Sequence, residues 1–360
     1  MGYKILGINL SHNSSVCVLD DGETIFFLEE ERLSRLKHDP FPIKTITKIF
    51  HKYKIDEISL SGISSFFNDY YYKKSIENIL PSYFPNIPIN TYSIKNHHTS
   101  HSLSSFFNSG FKKALSVIVD GSGNYQKNKK GLETETLQIV EYSISIKDIY
   151  KNYNYGKSSL VTLTKVYESI TNYLGYGFYE AGKIMGLSSY GEDDKNLPNL
   201  YINNHGNPKV FFSTENYKGI VYNKNYPYLQ LKINPKEWHN NPYKITSLEK
   251  NLAYKVQQES QKAVGDLIEK GLKETNLKQI CCSGGYFLNC VSNYYLIKRF
   301  PNVKFYFEPI SNDAGTAMGA AKLAWYQKTQ DKTIRPQKTL YYGLEYTKEQ
   351  ILEGIQKYLD

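Results

Sequence analysis

The 360-residue sequence is first informative through what it lacks. No apolar run approaches the roughly 18 residues that a membrane-spanning helix needs, so no span is expected. The opening residues Tyr3-Lys4-Ile5-Leu6-Gly7-Ile8 read as a strand and not as a signal peptide. Position 6 is Leu, where myristoylation after Met1-Gly2 would need Ser or Thr. Cysteine is scarce. Cys17, Cys281, Cys282 and Cys290 match neither a zinc-ligand spacing nor a disulfide framework, and three of them fall in apolar runs. Buried free thiols in a reducing compartment are therefore expected, and with them a soluble, cytoplasmic protein with no membrane partner. Blocks of Arg are missing too: the net charge of +9 comes from scattered Lys. That balance favours anionic ligands such as nucleotides and phosphates without demanding nucleic acid. The 33 Tyr go with abundant Lys, Asn and Ile as a compositional bias, and no stacking role is assigned to them.

What is present points to an α/β chain. A 40% hydrophobic content over this length suffices for a large core or two lobes. Residues 3–10, 15–19 and 23–28 read as three successive strands, with Asp20-Asp21-Gly22 as a tight hairpin turn. Pro40 and Pro42 precede an amphipathic helix at about 43–54. A similar opening recurs at 114–119, which ends in Asp120-Gly121-Ser122-Gly123 and is followed by a returning strand at 136–144. Two such openings suggest an internal duplication and a two-lobed fold whose strand-end turns face each other across a cleft. Helices are expected at 158–173, 248–273, 288–299 and 316–326, and a capped one after Thr347, with Gln350 three residues on. Strands are expected at 280–283 and 303–307. The polar, Asn- and Tyr-rich stretch 200–245 reads as an insertion or lid.

Chemistry concentrates in a few places. His97 and His101, in Asn96-His97-His98-Thr99-Ser100-His101, stand at i and i+4, one turn apart on one helix face. Two such imidazoles completed by a distant carboxylate, with Asp120 and Asp313 at hand, are a recurring way to hold a divalent transition metal. The alternative is a polar loop of histidines that binds nothing. Residues 177–183 nearly spell a phosphate-binding P-loop, but Ile184 stands where Ser or Thr must hold magnesium, and no buried strand precedes it. What survives is a Gly182-Lys183-x-x-Gly186 turn able to approach a phosphate. Ser283-Gly284-Gly285, with Asn289 beyond it, and Asp120-Gly121-Ser122-Gly123 are two more strand-end turns of that kind. Each alone is an ordinary turn; three together make a nucleotide-binding pattern.

On these residues the chain resembles the amino-terminal part of the O-carbamoyltransferases that modify antibiotics and Nod factors, relatives of the tRNA threonylcarbamoyl transferases. The matching blocks are Leu6-Gly7-Ile8 with His12-Asn13-Ser14-Ser15; Glu29-Glu30-Glu31-Arg32 with Arg35, Lys37 and His38; His97-His98-x-x-His101; Val119-Asp120-Gly121; Tyr173-Leu174-Gly175; Gly182-Lys183-Ile184-Met185-Gly186-Leu187; Gly284-Gly285-x-x-Leu288-Asn289-Cys290; and Asp313-Ala314-Gly315-Thr316-Ala317. The resemblance implies a two-lobed, duplicated actin/Hsp70/sugar-kinase-like α/β fold. The first lobe would be 1–110 and the second 111–335, with 336–360 leading toward a further domain.

By the same resemblance His97, His101, Asp120 and Asp313 would hold a divalent metal of the iron type, with zinc and manganese as alternatives, and His98 would be a neighbour only. Lys37, Asp120, Gly121, Ser122, Tyr167, Gly182, Lys183, Gly285 and Asn289 would hold ATP or the carbamoyl-adenylate made from it, and Lys37 would be catalytic as well. His12 would stand near the carbamoyl carbon as general base, or else cap a turn. Asn13 and the segment Thr162-Leu163-Thr164-Lys165 depart from the family pattern, which has Asp and Ser-Leu-Gly-Phe there. The family's carboxy-terminal domain, which makes carbamoyl-adenylate from carbamoyl phosphate and ATP, has no counterpart here. The chain is therefore expected to be half of a two-component enzyme or a truncated piece, with a carbamoyl-adenylate-forming partner and a small-molecule or glycan acceptor. A homo-oligomer stays open. Threonylcarbamoyl transfer to tRNA and a non-catalytic nucleotide-binding subunit are the other readings.

Overall fold

The computed structural model describes residues 2–359 apart from 63–68, 93–95, 127, 129–130, 143–144, 155–161, 178, 198–199, 205–206 and 211–244. The Asp21-Gly22 hairpin forms as expected, with both residues at positive φ (47° and 84°), the backbone that a right-twisted two-strand hairpin requires. It joins β2 (Ser15–Asp20) to β3 (Glu23–Glu29), and β2 also pairs antiparallel with β1 (Lys4–Leu10). After the short α1 (Glu31–Ser34) and α2 (Ile43–Phe50), β4 (Glu57–Gly62) joins β1 in parallel. α3 (Asp69–Tyr83) then leads to β5 (Ile89–Asn90) at the edge. The order is β3-β2-β1-β4-β5.

The second sheet repeats this plan. β6 (Lys113–Val119) is antiparallel to β8 (Gly131–Glu141), and β8 to β9 (Ser145–Asn154), with the small β7 (Tyr125–Gln126) on β8. On its other side β6 takes β12 (Gln279–Ser283) in parallel, and β12 takes β13 (Lys304–Phe307). The path β9-β8-β6-β12-β13 is thus the counterpart of β3-β2-β1-β4-β5, sense for sense. The expected duplication is present in the topology. β8 begins five residues before the expected 136, and β9 was not expected at all, because its Lys-, Asp- and Asn-rich sequence hides the alternation of an outer strand.

The remaining helices complete the layers. α4 (His97–Ser109) precedes β6, while α5 (Leu163–Tyr173), α6 (Ala181–Ser188) and α7 (Ser247–Thr275) pack on and beside the second sheet. The hairpin β10 (Tyr201–Asn204) and β11 (Asn207–Val210) opens the stretch expected to be a lid; residues 211–244 of that stretch lie outside the described residues, as do residues 158–161 of the expected helix. α8 (Cys290–Arg299), α9 (Thr316–Thr329) and α10 (Lys348–Gln356) follow. Among the described residues no helix is long and apolar enough to cross a membrane.

Two helices tie the lobes together. α4 and α9 are buried on nearly every side and share one core cluster, in which Phe107 stacks on Tyr326 with ring centroids 4.2 Å apart. The Ser-rich turns of α4 let α9 approach closely. A Cβ at Gly319 would lie 2.0 Å from the Ser100 carbonyl oxygen, so this crossing admits only hydrogen there. Because α4 starts with His97 and α9 starts just after Asp313, this crossing sets the distance between the two.

Candidate functional site

The site is built where the ends of the central strands meet the first turn of α4. His97 and His101, on one face of that helix as expected, bring their Nε2 atoms to 3.2 Å of each other. His97 Nε2 lies 3.4 Å from Asp120 Oδ2 and 3.7 Å from Asp313 Oδ1; His101 Nε2 lies 3.6 Å from Asp313 Oδ1. One ligand-capable atom from each residue falls within 4.8 Å of all the others, and all four residues are buried. The order within the chain is helix, end of β6, and the single turn 313–315 before α9.

Each ligand-capable atom is aimed by a partner behind it. His97 Nδ1 lies 3.2 Å from the Gly62 carbonyl at the end of β4, an oxygen that can only accept, so Nδ1 carries a proton and Nε2 is the nitrogen left for the cluster. His101 Nδ1 is 3.0 Å from Ser283 Oγ at the end of β12. Gly62 and Ser283 occupy corresponding positions in the two sheets, so the duplication braces one imidazole from each lobe. Asp120 receives the Gly285 N–H at Oδ1 (2.9 Å), leaving Oδ2 for the cluster. Gly284, at φ 104°, makes that N–H available; a Cβ on it would lie 2.4 Å from the Val119 carbonyl oxygen.

The electrostatics fit a cation. Burial disfavours a charged His97, but Asp313 and Asp120 outweigh it and raise the imidazole to about 9. Burial would also raise the Asp120 carboxyl, yet the hydrogen bond from His97 and the nearby imidazoles hold it well below the usual carboxylate range. Asp313 shifts down likewise: burial opposes it, and His12, His97 and a hydrogen bond from His101 overcome it. Asp313 Oδ2 is buried and accepts no hydrogen bond. Two carboxylates and two imidazoles thus converge out of water, a donor set that suits a divalent cation. Nitrogen and carboxylate donors without thiolate suit iron, zinc or manganese alike. His98 stands apart, its Nδ1 2.7 Å from Thr136 Oγ1 and its pKa pushed by burial to about 4, so it stays neutral.

His12, in the turn after β1, places Nδ1 3.6 Å from Asp313 Oδ2 and remains about one third exposed. Tyr179 stacks on it at 4.7 Å and touches His38 at 4.2 Å. The neighbouring Lys37 is exposed and pairs with Glu31 at 2.6 Å. Gly121 and Ser122 follow Asp120 directly, with the Ser122 hydroxyl donating to the Gly121 carbonyl. Tyr167 and Asn289 meet through a residue the sequence reading missed: Gln257 Oε1 accepts from the Tyr167 hydroxyl and from Asn289 Nδ2, both at 2.8 Å. Asn289 Oδ1 also caps α8 by accepting from the Ser292 N–H. Gly182 and Lys183 open α6 on the surface, where Lys183 pairs with Glu180; no described contact ties them to the quartet. Lys165 and Glu168, at the start of α5, were likewise missed, although an i, i+3 charge pair on a largely buried helix is a readable signal.

Comparison with known proteins gives the family and the fold. The family model described as Carbamoyltransferase N-terminus matches residues 47–322. An uncharacterised protein of Synechocystis is 26% identical over 96% of this chain and 62% of its own length. The nodulation protein NolNO of Sinorhizobium fredii is 22% identical over 95% of this chain and 50% of its own. The chain therefore spans only 50% to 62% of the length of these curated relatives. Among solved structures, full-length HypF in its phosphate- and nucleotide-bound form covers 91% of this chain with a TM-score of 0.53 at 12% identity, over 47% of its own length. At that identity the likeness concerns the fold, and the duplicated two-lobed architecture is the actin/Hsp70/sugar-kinase-like one.

Proposed function

We propose that this chain, which belongs to the carbamoyltransferase N-terminus family, transfers a carbamoyl group from carbamoyl-adenylate to a hydroxyl or amine of a small-molecule or glycan acceptor. The observation that carries this reading is the buried quartet of His97, His101, Asp120 and Asp313 beside a partly exposed His12. The quartet would hold a divalent metal of the iron type, which when bound supplies Lewis-acid stabilisation and a template for the ligand's oxygens. The chain's own groups do the rest. His12 takes the acceptor proton as the acceptor oxygen or nitrogen bonds to the carbamoyl carbon. The carbon–oxygen bond to the adenylate phosphate breaks, and AMP leaves with the electron pair. The family match supports carbamoyl transfer, and the nucleotide named with HypF, a protein of similar fold, is in keeping with an adenylate donor. The carbamoyl-adenylate would come from a partner or a further domain.

The test is transfer of label from radioactive carbamoyl phosphate with ATP, run on the chain alone and with a source of carbamoyl-adenylate. Metal content by elemental analysis accompanies it. Unchanged metal stoichiometry in the His97→Ala, His101→Ala double variant would sink the metal assignment. A second reading, threonylcarbamoyl transfer to tRNA, draws on the +9 charge. Tight tRNA binding with a steep salt dependence would favour it over the first.

A further inference from the structure

Beside the quartet lies a buried ion pair to which the reading above gives no part. Lys165 Nζ is 2.6 Å from Glu168 Oε2, and their side chains are only 6% and 17% exposed. The pair sits over the Gly121 turn: a Cβ at Gly121 would be 2.9 Å from Glu168 Oε1 and 3.8 Å from Lys165 Nζ. The first turn of α5 is fastened to that turn by the Thr164 hydroxyl, which donates to the Asp120 carbonyl at 2.9 Å. Tyr179, which stacks on His12, also feels the charges of Asp313, Glu168 and Lys165. Burial raises the Glu168 carboxyl and Lys165 counters it, while Asp120 and His12 also act on it.

A buried ion pair is a poor stabilising device, because desolvating two charges costs about what their attraction returns. It also puts a cation at the amino-terminal turn of α5, where the helix dipole disfavours it. Both costs are explained if an anion arrives.

We propose that Lys165 is the cation that contacts the anionic end of the ligand seated at the quartet, with Glu168 as the positioning residue that holds its ammonium over the Gly121 turn in the absence of ligand. This rests on the adenylate reading, and the chemical class it names is a nucleoside monophosphate or its acyl derivative. The amide groups of the Gly121 turn and Lys165 then meet the phosphate together, one from each side of the same corner.

The test is calorimetric titration of the full metal-loaded chain with AMP, adenosine and inorganic phosphate. Lys165→Met should weaken AMP about tenfold to a hundredfold, the loss expected for one charge-assisted hydrogen bond. Adenosine, which has no phosphate, should bind as before, and metal content should not change. Lys165→Arg should keep AMP affinity within a few fold. The double variant Lys165→Met, Glu168→Leu removes both charges, leaves no orphaned carboxylate to unfold the chain, and should show the same selective loss. AMP and adenosine weakening together, or AMP unaffected in a folded variant, would overturn the assignment of Lys165 and leave the adenylate reading standing. A wild-type chain that binds neither AMP nor phosphate would overturn both.

Discussion

The crossing of α4 and α9 makes the sharpest prediction. At Gly319 an added methyl would lie 2.0 Å from the Ser100 carbonyl oxygen, 2.9 Å from its carbon and 3.2 Å from the Ser104 nitrogen. All three atoms are backbone, so no side chain can swing aside; the helices must separate by roughly 1.4 Å to restore ordinary contact near 3.4 Å. Overpacking a close crossing costs about 1–3 kcal/mol, and an immovable backbone places Gly319→Ala at the upper end. With a urea m-value of about 3 kcal/mol/M, that is a fall in midpoint of up to roughly 1 M. The same displacement acts on function, because α4 carries His97 and His101 while Asp313 stands three residues before α9. Metal sites tolerate about 0.2 Å in ligand distance, so metal affinity should fall by about tenfold to a hundredfold. Urea titration and elemental analysis read the two effects. A Gly319→Ala protein with unchanged midpoint and metal content would refute both the closeness of the crossing and its role in setting the site.

Other expectations follow from single positions. Gly186 lies inside α6 with nothing within 4 Å of an added Cβ, so Gly186→Ala should stabilise the chain by about 0.4–1 kcal/mol in thermal or urea unfolding. Destabilisation would mean that the space is already filled. Ser283→Ala deletes the oxygen behind His101 Nδ1 and should lower metal affinity about tenfold at constant fold, read by competition with a chelator. An affinity equal to wild type would deny that Ser283 orients the ring. Lys322 gives a pH prediction: burial pushes its ammonium from an ordinary 10.5 down to about 8, while its Nζ donates to Asn108 Oδ1. Between those values the unfolded chain binds more protons than the folded one, so this group makes stability rise with pH there, by at most about 1.4 kcal/mol per pH unit. Cys17 and Cys281, raised by burial to about 12, act in the opposite sense above pH 9, so the quantity to measure is wild type minus Lys322→Met. Parallel curves from pH 8 to 10.5 would refute it.

Local chemistry was legible in the sequence; contacts across the fold were not. The Asp21-Gly22 turn, the capping box at Thr347 and the i, i+4 histidines all announce themselves within a few residues. The partners that make histidines into a metal site are remote. Asp120 reaches Gly285 over 165 positions and His101 reaches Ser283 over 182, distances at which one sequence carries no pattern. Gln257 was missed for the same reason, standing between Tyr167 and Asn289 in an ordinary-looking long helix. α2 ends at Phe50, short of the expected 54, because the chain must turn toward β4; the tertiary demand overrides an amphipathic pattern that would continue.

The duplication explains why such a site can exist between remote segments. In each lobe the first strand of the sheet ends in a small polar turn, Ser11-His12-Asn13-Ser14 after β1 and Asp120-Gly121-Ser122-Gly123 after β6. The same topology puts these turns, and the ends of β4 and β12, on facing edges of the two sheets. α4 lies between them and draws one brace from each, Gly62 for His97 and Ser283 for His101. The two equivalent turns have nevertheless diverged. One offers a carboxylate to the quartet, and the other offers an imidazole that stays outside it and partly in water. Asp313 joins them, with Oδ1 toward His97 and His101 and Oδ2 toward His12 Nδ1. A carboxylate so placed makes one side chain serve both turns, so Asp313→Asn, which keeps the shape and removes the charge, should lower metal affinity about tenfold or more and slow transfer as well. Metal content and transfer rate equal to wild type would show that the turns of the two lobes act independently.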